Sequence, residues 1–172
     1  MITLRTAVLD DAPALAAALL RNRDHMRPWE PHRPEAFYTP AGQEERLSDV
    51  GAYRIVLADG DRVVGLATLS GIALGPFRSA SLGYWIDAEY NGRGLATRAV
   101  EEICRVALDE IGLHRVEAGT VPHNAASQRV LAKAGFEEFG LAPRYLHIDG
   151  EWRDHRLFQR ILHDGPPERR AR

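Results

Sequence analysis

The sequence predicts a mixed α/β (α+β) fold: a central, twisted, mostly antiparallel sheet of about seven strands with helices on both faces. Three observations predict it. Apolar runs separated by turn residues place three consecutive strands before residue 88, two amphipathic helices then bracket a strand-like segment, and Asp149-Gly150 marks a closing hairpin. A chain of 172 residues supports one substantial core, so residues 1–163 read as one domain and DGPPERRAR, 164–172, as a polar tail that frays.

Ile2 to Leu4 is a short strand, after which Asp10 or Asp11 caps a helix running through ALAAALLRN. The segment DHMRPWEPHRPEAFYTPAG holds four prolines in nineteen residues, which excludes a long helix or a central strand. A long aromatic-bearing loop of this kind is more often functional than decorative. Thr39 before Pro40 caps a short helix through QEERL. YRIVLA and RVVGLATLSGI are strands joined by Asp59-Gly60, and SLGYWID is the third of an antiparallel meander. From Leu95 to Glu110, Leu95, Ala99, Ile103, Val106 and Ala107 recur at helical spacing, and Gly112 closes the helix. HRVEAGTV is the next strand, Asn124 starts a helix that ends at Gly135, and FEEFGLAPRYLHID with EWRDHRLFQRIL forms the last hairpin.

Composition excludes several function classes. Apolar residues make up 45% and charged residues 27%, which is ordinary for a globular protein, and a formal charge of -2 gives no field to steer nucleic acid or an anionic membrane. No apolar run reaches the roughly 18 residues of a membrane span, and Asp10 and Asp11 interrupt any signal-peptide core. A cytoplasmic protein is expected. The single cysteine, Cys104, lies on the apolar face of a helix and offers neither a disulfide nor a cysteine metal cluster; the seven histidines have no metal-like spacing. No metal is expected.

Chemistry concentrates between SLGYWID and the helix at Leu95. Gly92 and Gly94 deliver the chain into that helix, so backbone N–H groups and the positive helix end converge on a site suited to phosphate. By themselves the glycines are equally consistent with a simple capping turn. A P-loop needs lysine after its last glycine, and the only lysine is Lys133; a dinucleotide fingerprint needs a small residue where Thr97 stands.

The run YNGRGLAT resembles the pyrophosphate-binding motif of the GNAT (GCN5-related N-acetyltransferase) superfamily: Gln or Arg, two residues, Gly, one residue, then Gly or Ala. It maps to Asn91, Gly92, Arg93, Gly94, Leu95 and Ala96, with Thr97 next; Asn91 replaces the usual Gln or Arg. NRDHMRPWEP, HRVEAGTVPHNAASQRVLAKAGF and YLHIDGEWRDH are similar to the RimJ/RimL-type branch, which acetylates N-terminal amines of ribosomal proteins. The resemblance implies the GNAT fold, with SLGYWID and HRVEAGTV splayed around acetyl-CoA. It also implies an acceptor amine, either a protein N-terminus or a small amine such as a polyamine, an amino acid or an aminoglycoside, with a non-catalytic acyl-CoA-binding module as the alternative that Leu131 motivates, and leaves a homodimer open.

Direct attack of an amine on a thioester needs orientation, a base, an oxyanion hole and a proton for the thiolate, but no covalent nucleophile. Glu117 alternates with Val116 and Ala118 on the strand lining the gap and, by the resemblance, is the first candidate base; Glu30 is the reserve for base or for holding the ammonium. Asn124 reads as an N-cap and, by resemblance, contacts the pantetheine arm, with Ser127 near the sulfur. Relatives place a tyrosine acid where this chain has Leu131, so either Ser127 protonates the thiolate or the thiolate leaves unaided. His114 and Tyr145 are weaker candidates. Backbone N–H groups around Tyr84, Trp85 and Ile86 form the expected oxyanion hole. Trp29, Tyr145 and Arg144 are expected to frame the acceptor.

Overall fold

A computed structural model describes residues 1–167; the rest of the tail, 168–172, lies outside the described residues. Seven strands form one sheet: β1 (Ile2–Thr6), β2 (Tyr53–Asp59), β3 (Arg62–Ala73), β4 (Ser79–Ile86), β5 (Arg115–Thr120), β6 (Glu137–Ile148) and β7 (Glu151–Ile161). Their spatial order is β1-β2-β3-β4-β5-β7-β6. Every neighbouring pair is antiparallel except β4 and β5, which are parallel and joined through a helix.

Helices α1 (Ala12–Arg21), α2 (Arg23–Met26), α3 (Pro40–Leu47), α4 (Leu95–Val106) and α5 (Ala125–Lys133) complete the fold. Leu15, Ala18 and Leu19 of α1 pack with Val56, Val63 and Leu66 on one sheet face. Ala99, Val100, Ile103 and Cys104 of α4, with Leu131 of α5, pack with Leu57, Leu69, Leu82, Val116 and Phe158 on the other. Both faces of the central strands are thus apolar, and Val56, Leu57 and Val64 are fully buried. Cys104 is a buried thiol of this core, and burial raises its pKa to about 11.

Local chemistry set most boundaries. The Thr39 hydroxyl accepts from the Gly42 N–H, with Pro40 in the first turn of α3. Asp149 (φ 49°) and Gly150 (φ 82°) both adopt left-handed backbone, which a tight hairpin between β6 and β7 requires. The first helix starts differently from expectation. A single 3-10 turn, Leu9–Asp11, precedes α1, and Asp11 reaches back to the Val8 N–H and to Arg5 rather than capping forward. At the far end of α4 the chain widens into a π-type turn, Ala107–Ile111, before Gly112 stops it.

Candidate active site

The two parallel strands pair for only three residues, Ser79 with Arg115, Ala80 with Val116 and Ser81 with Glu117, and then diverge. Beyond Ser81, β4 keeps β3 on one side and has no strand on the other. The Asp87 N–H donates to the Val64 carbonyl of β3 at 2.8 Å. Alternation along the strand therefore turns the N–H groups of Tyr84 and Ile86 away from β3, into the gap. A cavity of about 670 Å³ occupies that gap, walled by Leu82 to Ile86 of β4, Ala118 to Val121 and much of α5.

Its floor at one end is the glycine turn. Asp87 starts a short 3-10 turn, Ala88–Tyr90, by accepting from the Glu89 N–H, and Asn91, Gly92 and Arg93 lead into α4. Gly94 occupies the N-cap of α4 at φ 72°, and Gly92 has φ 76°. A methyl group added at either glycine would meet nothing within 4 Å, so the turn is a concave backbone surface open to a ligand. Asn91, Gly92, Gly94, Leu95, Ala96 and Thr97 all line the cavity. Arg93 does not: its guanidinium donates to the Glu89 carbonyl at 2.9 Å and stacks 4.6 Å from the Tyr90 ring centroid.

The turn is braced from behind. Asp87 is 1% exposed and accepts from Arg21 at 2.7 Å and Arg62 at 3.1 Å, while Asn22 accepts from the Ala88 N–H. Burial pushes the Asp87 carboxyl up, but the donors of Arg21, the Glu89 backbone, Arg62 and Asn22 outweigh it and hold the group below the usual carboxylate range. Asn91, the irregular letter of the motif, lies 3.2 Å from Nε2 of His25 on α2, and His25 also lines the cavity.

At the middle of the cavity Asn124 caps α5 by accepting from the Ser127 N–H at 3.1 Å. The Tyr84 hydroxyl is 2.6 Å from the Ser127 hydroxyl and donates to the Ser127 carbonyl at 3.2 Å. Burial pushes the Tyr84 phenol up to about 12, against a smaller opposing effect of the Ser127 contact. Leu131 is fully buried in the core and contributes no hydroxyl. Arg129 and Lys133 also face the cavity from α5, which periodicity alone did not single out.

Met26, Trp29, Glu30 and His155 also line the cavity. Trp29 packs 5.3 Å from His123. Burial raises the Glu30 carboxyl above its ordinary range, outweighing Arg33 and Arg46; Arg46 in turn is lowered to about 10 by burial and by Arg54 and Arg33. Glu117 faces opposite to Val116 and Ala118, as alternation predicts, yet it does not line the cavity, and its carboxylate is 2.8 Å from Arg115. Tyr145 and Arg144 likewise lie outside the cavity wall. Tyr145 packs against His155 at 5.3 Å, and Arg144, at φ 48°, donates its N–H to Asp154. His114 is remote, held by the His163 carbonyl.

Among the described residues, no three His, Cys, Asp or Glu side chains are grouped to hold a metal, and no helix is long and apolar enough to cross a membrane. The cavity thus brings together a glycine turn, backbone donors of β4 and a hydroxyl pair. Known proteins match it. Residues 1–137 match the acetyltransferase (GNAT) domain family. The chain is 36% identical over 168 residues to the [ribosomal protein uS5]-alanine N-acetyltransferase of Escherichia coli, covering 92% of this chain and 87% of that one. Two solved structures share the fold at high similarity. The ribosomal-protein-S5-alanine acetyltransferase of Vibrio fischeri superposes with a TM-score of 0.91 at 36% identity, covering 95% of this chain and 94% of that one. RimJ of Mycobacterium smegmatis, in complex with CoA-disulfide, gives 0.86 at 32% identity over 93% and 81%. With most of its length matched by the family and by these relatives, the chain belongs to the GNAT acetyltransferase family.

Proposed function

We propose that the protein transfers the acetyl group of acetyl-CoA to the N-terminal α-amine of a protein, a ribosomal-protein alanine being the acceptor class. The observation that carries the reading is the unpaired edge of β4 beside the glycine turn, since an acyl-pantetheine chain can hydrogen-bond along the edge while its pyrophosphate rests on the turn. The names of the relatives support the acceptor, and RimJ of Mycobacterium smegmatis is itself a CoA complex. A ribosomal acceptor fits a cytoplasmic setting.

The fit to CoA is chemical. Gly92 and Gly94 admit close backbone approach, Lys133 and Arg129 supply cations along α5, and Asn124 keeps an amide N–H₂ for the pantetheine arm. The N–H groups of Tyr84 and Ile86 receive the charge that develops on the thioester oxygen. The amine attacks the carbonyl carbon, the C–S bond breaks, and the proton the amine gives up passes to the sulfur through Ser127, whose hydroxyl Tyr84 holds in place. Trp29 and Glu30 hold the incoming ammonium at the mouth. Glu117 takes part from the sheet face through water, with Arg115 as its counter-charge.

Thiol release from acetyl-CoA with a panel of short peptides beginning in alanine, serine or methionine, run beside spermidine, amino acids and an aminoglycoside, tests the reading. Peptides are expected to give the highest kcat/KM. Preference for a small amine would move the acceptor assignment, and no thiol release with any member would overturn the activity.

A further inference from the structure

His155, the last residue of the YLHIDGEWRDH stretch, is 3% exposed and yet faces the cavity from β7. Cross-strand register explains how it gets there. Glu117 pairs with Gln159, Gly119 with Leu157 and Thr120 with Arg156, so His155 continues the row containing Glu117, beyond Gly119 and towards the mouth. Gly119 leaves room for it: a methyl group there would stand 3.4 Å from the imidazole Cδ2. Nδ1 lies 3.2 Å from the Arg153 carbonyl, which fixes the proton on Nδ1 and leaves Nε2 as the acceptor nitrogen. Among the described residues nothing hydrogen-bonds to Nε2. The Tyr145 ring, 5.3 Å away, packs against the imidazole.

We propose that His155 is the catalytic base that takes a proton from the acceptor ammonium. The inference rests on the acetyl-transfer reading and specifies its proton traffic. A protein N-terminus arrives largely as R–NH₃⁺, and Nε2 accepts one proton to leave R–NH₂ and an imidazolium. The amine nitrogen then bonds to the acetyl carbon as the C–S bond breaks, the second amine proton balances the thiolate by way of Ser127, and the imidazolium returns its proton to solvent after release. Glu117 is less well placed for the first step because Arg115 holds its carboxylate outside the cavity.

The titratable groups around His155 are few. Glu30 from the segment after α2, His25 of α2, Tyr84 of β4, Tyr90 of the turn before α4, and Arg129 and Lys133 of α5 share the cavity wall, and Tyr145 of β6 covers the ring. On β7 itself Asp154 turns to the Arg144 N–H, while Arg156 pairs with Glu138 and bonds Gln128. β5 contributes Gly119 and no charge at this point.

The test compares wild type, His155→Asn, which keeps an amide donor for the Arg153 carbonyl, His155→Ala and Glu117→Gln. Acetyl-CoA affinity and the pH profile of kcat/KM with an alanine-first peptide are measured for each. His155→Asn is expected to bind acetyl-CoA within threefold of wild type and to lose about 100-fold in kcat/KM at pH 7, the lower end for removal of a general base. The deficit should shrink above pH 8, where the N-terminal amine deprotonates unaided. In His155→Ala, added imidazoles should restore rate in the order of their basicity, which a purely structural role would not produce. Wild type without turnover on any amine would remove the activity itself. Wild-type turnover with His155→Asn within threefold at every pH, or with Glu117→Gln carrying the entire loss, would overturn this proposal alone.

Discussion

Tyr84 on β4 and Ser127 on α5 meet across the divergence of the sheet with their hydroxyl oxygens 2.6 Å apart. Each comes from a different wall of the cavity, so the contact bridges the two, and under the acetyl-transfer reading Ser127 carries the proton to the sulfur. Ser127→Ala is expected to lower kcat about 100-fold and Tyr84→Phe about tenfold, with the double variant losing less than the product because the two act as one unit. Because burial holds the phenol near 12, Tyr84 stays protonated through the neutral range and adds no basic limb to the pH profile below that value. A Ser127→Ala rate within threefold of wild type would mean that the thiolate departs without a side-chain acid.

The glycine turn separates backbone from side-chain recognition. Gly94→Ala places a side chain on left-handed backbone at a ligand-facing surface, and the fold is expected to lose about 1 kcal/mol while CoA affinity falls at least about tenfold. Arg93→Ala should leave affinity within about threefold, since its guanidinium is committed to Glu89 and Tyr90. Calorimetric titration with CoA reads both. Equal losses would mean that Arg93 swings inward on binding.

Asp87 ties α1 and β3 to the turn. Asp87→Ala leaves Arg21, Arg62 and the Glu89 N–H without their shared acceptor and is expected to destabilise the protein by about 2 kcal/mol, below the range for a fully buried pair because both arginines are partly exposed. The carboxyl is held low in the folded state, so its contribution is present above the unfolded carboxylate pKa and is lost as pH falls through the lower folded value. Urea midpoints for wild type and variant should therefore converge only at strongly acidic pH.

Glu30 carries the opposite sign. Its folded carboxyl is raised, so the folded state favours the proton, and stability is lost as pH rises from the unfolded glutamate value through the folded one. Glu30→Gln should match wild type at acid pH and melt higher at neutral pH, while KM for the peptide rises about tenfold through loss of a charge-assisted contact to the ammonium. A lower melting temperature at neutral pH would show that Glu30 is stabilised by its arginine neighbours rather than strained.

What could be read from the letters was what local chemistry decides. Thr39-Pro40, Asp149-Gly150 and the stop at Gly112 each depend on one or two residues and their backbone angles, and each stands where expected. The alternation that turns Glu117 away from Val116 was equally legible. What claims a side chain once it has been turned was not. Arg115 holds Glu117, and His25 meets Asn91 across 66 positions of chain. His155 reaches the cavity only because β7 inserts between β5 and β6, a neighbour relation that no periodicity encodes. Lys133 was visible as the only lysine, but its direction depends on how α5 seats against the gap.

The three-residue pairing of β4 with β5 makes the sheet two panels, β1 to β4 and β5 to β7, stitched at one end. Under the acetyl-transfer reading, a cosubstrate laid along the free edge is expected to act as the missing strand and close the seam. Binding only the folded state, it should add about 2.7 kcal/mol at a hundredfold excess over its dissociation constant. Amide exchange at Tyr84 and Ile86 should slow when it is present. An unpaired edge of this kind normally invites another chain to add to the sheet, and here it forms one wall of the cavity faced by α5. The cellular supply of acetyl-CoA would then govern how long the protein survives as well as how fast it works.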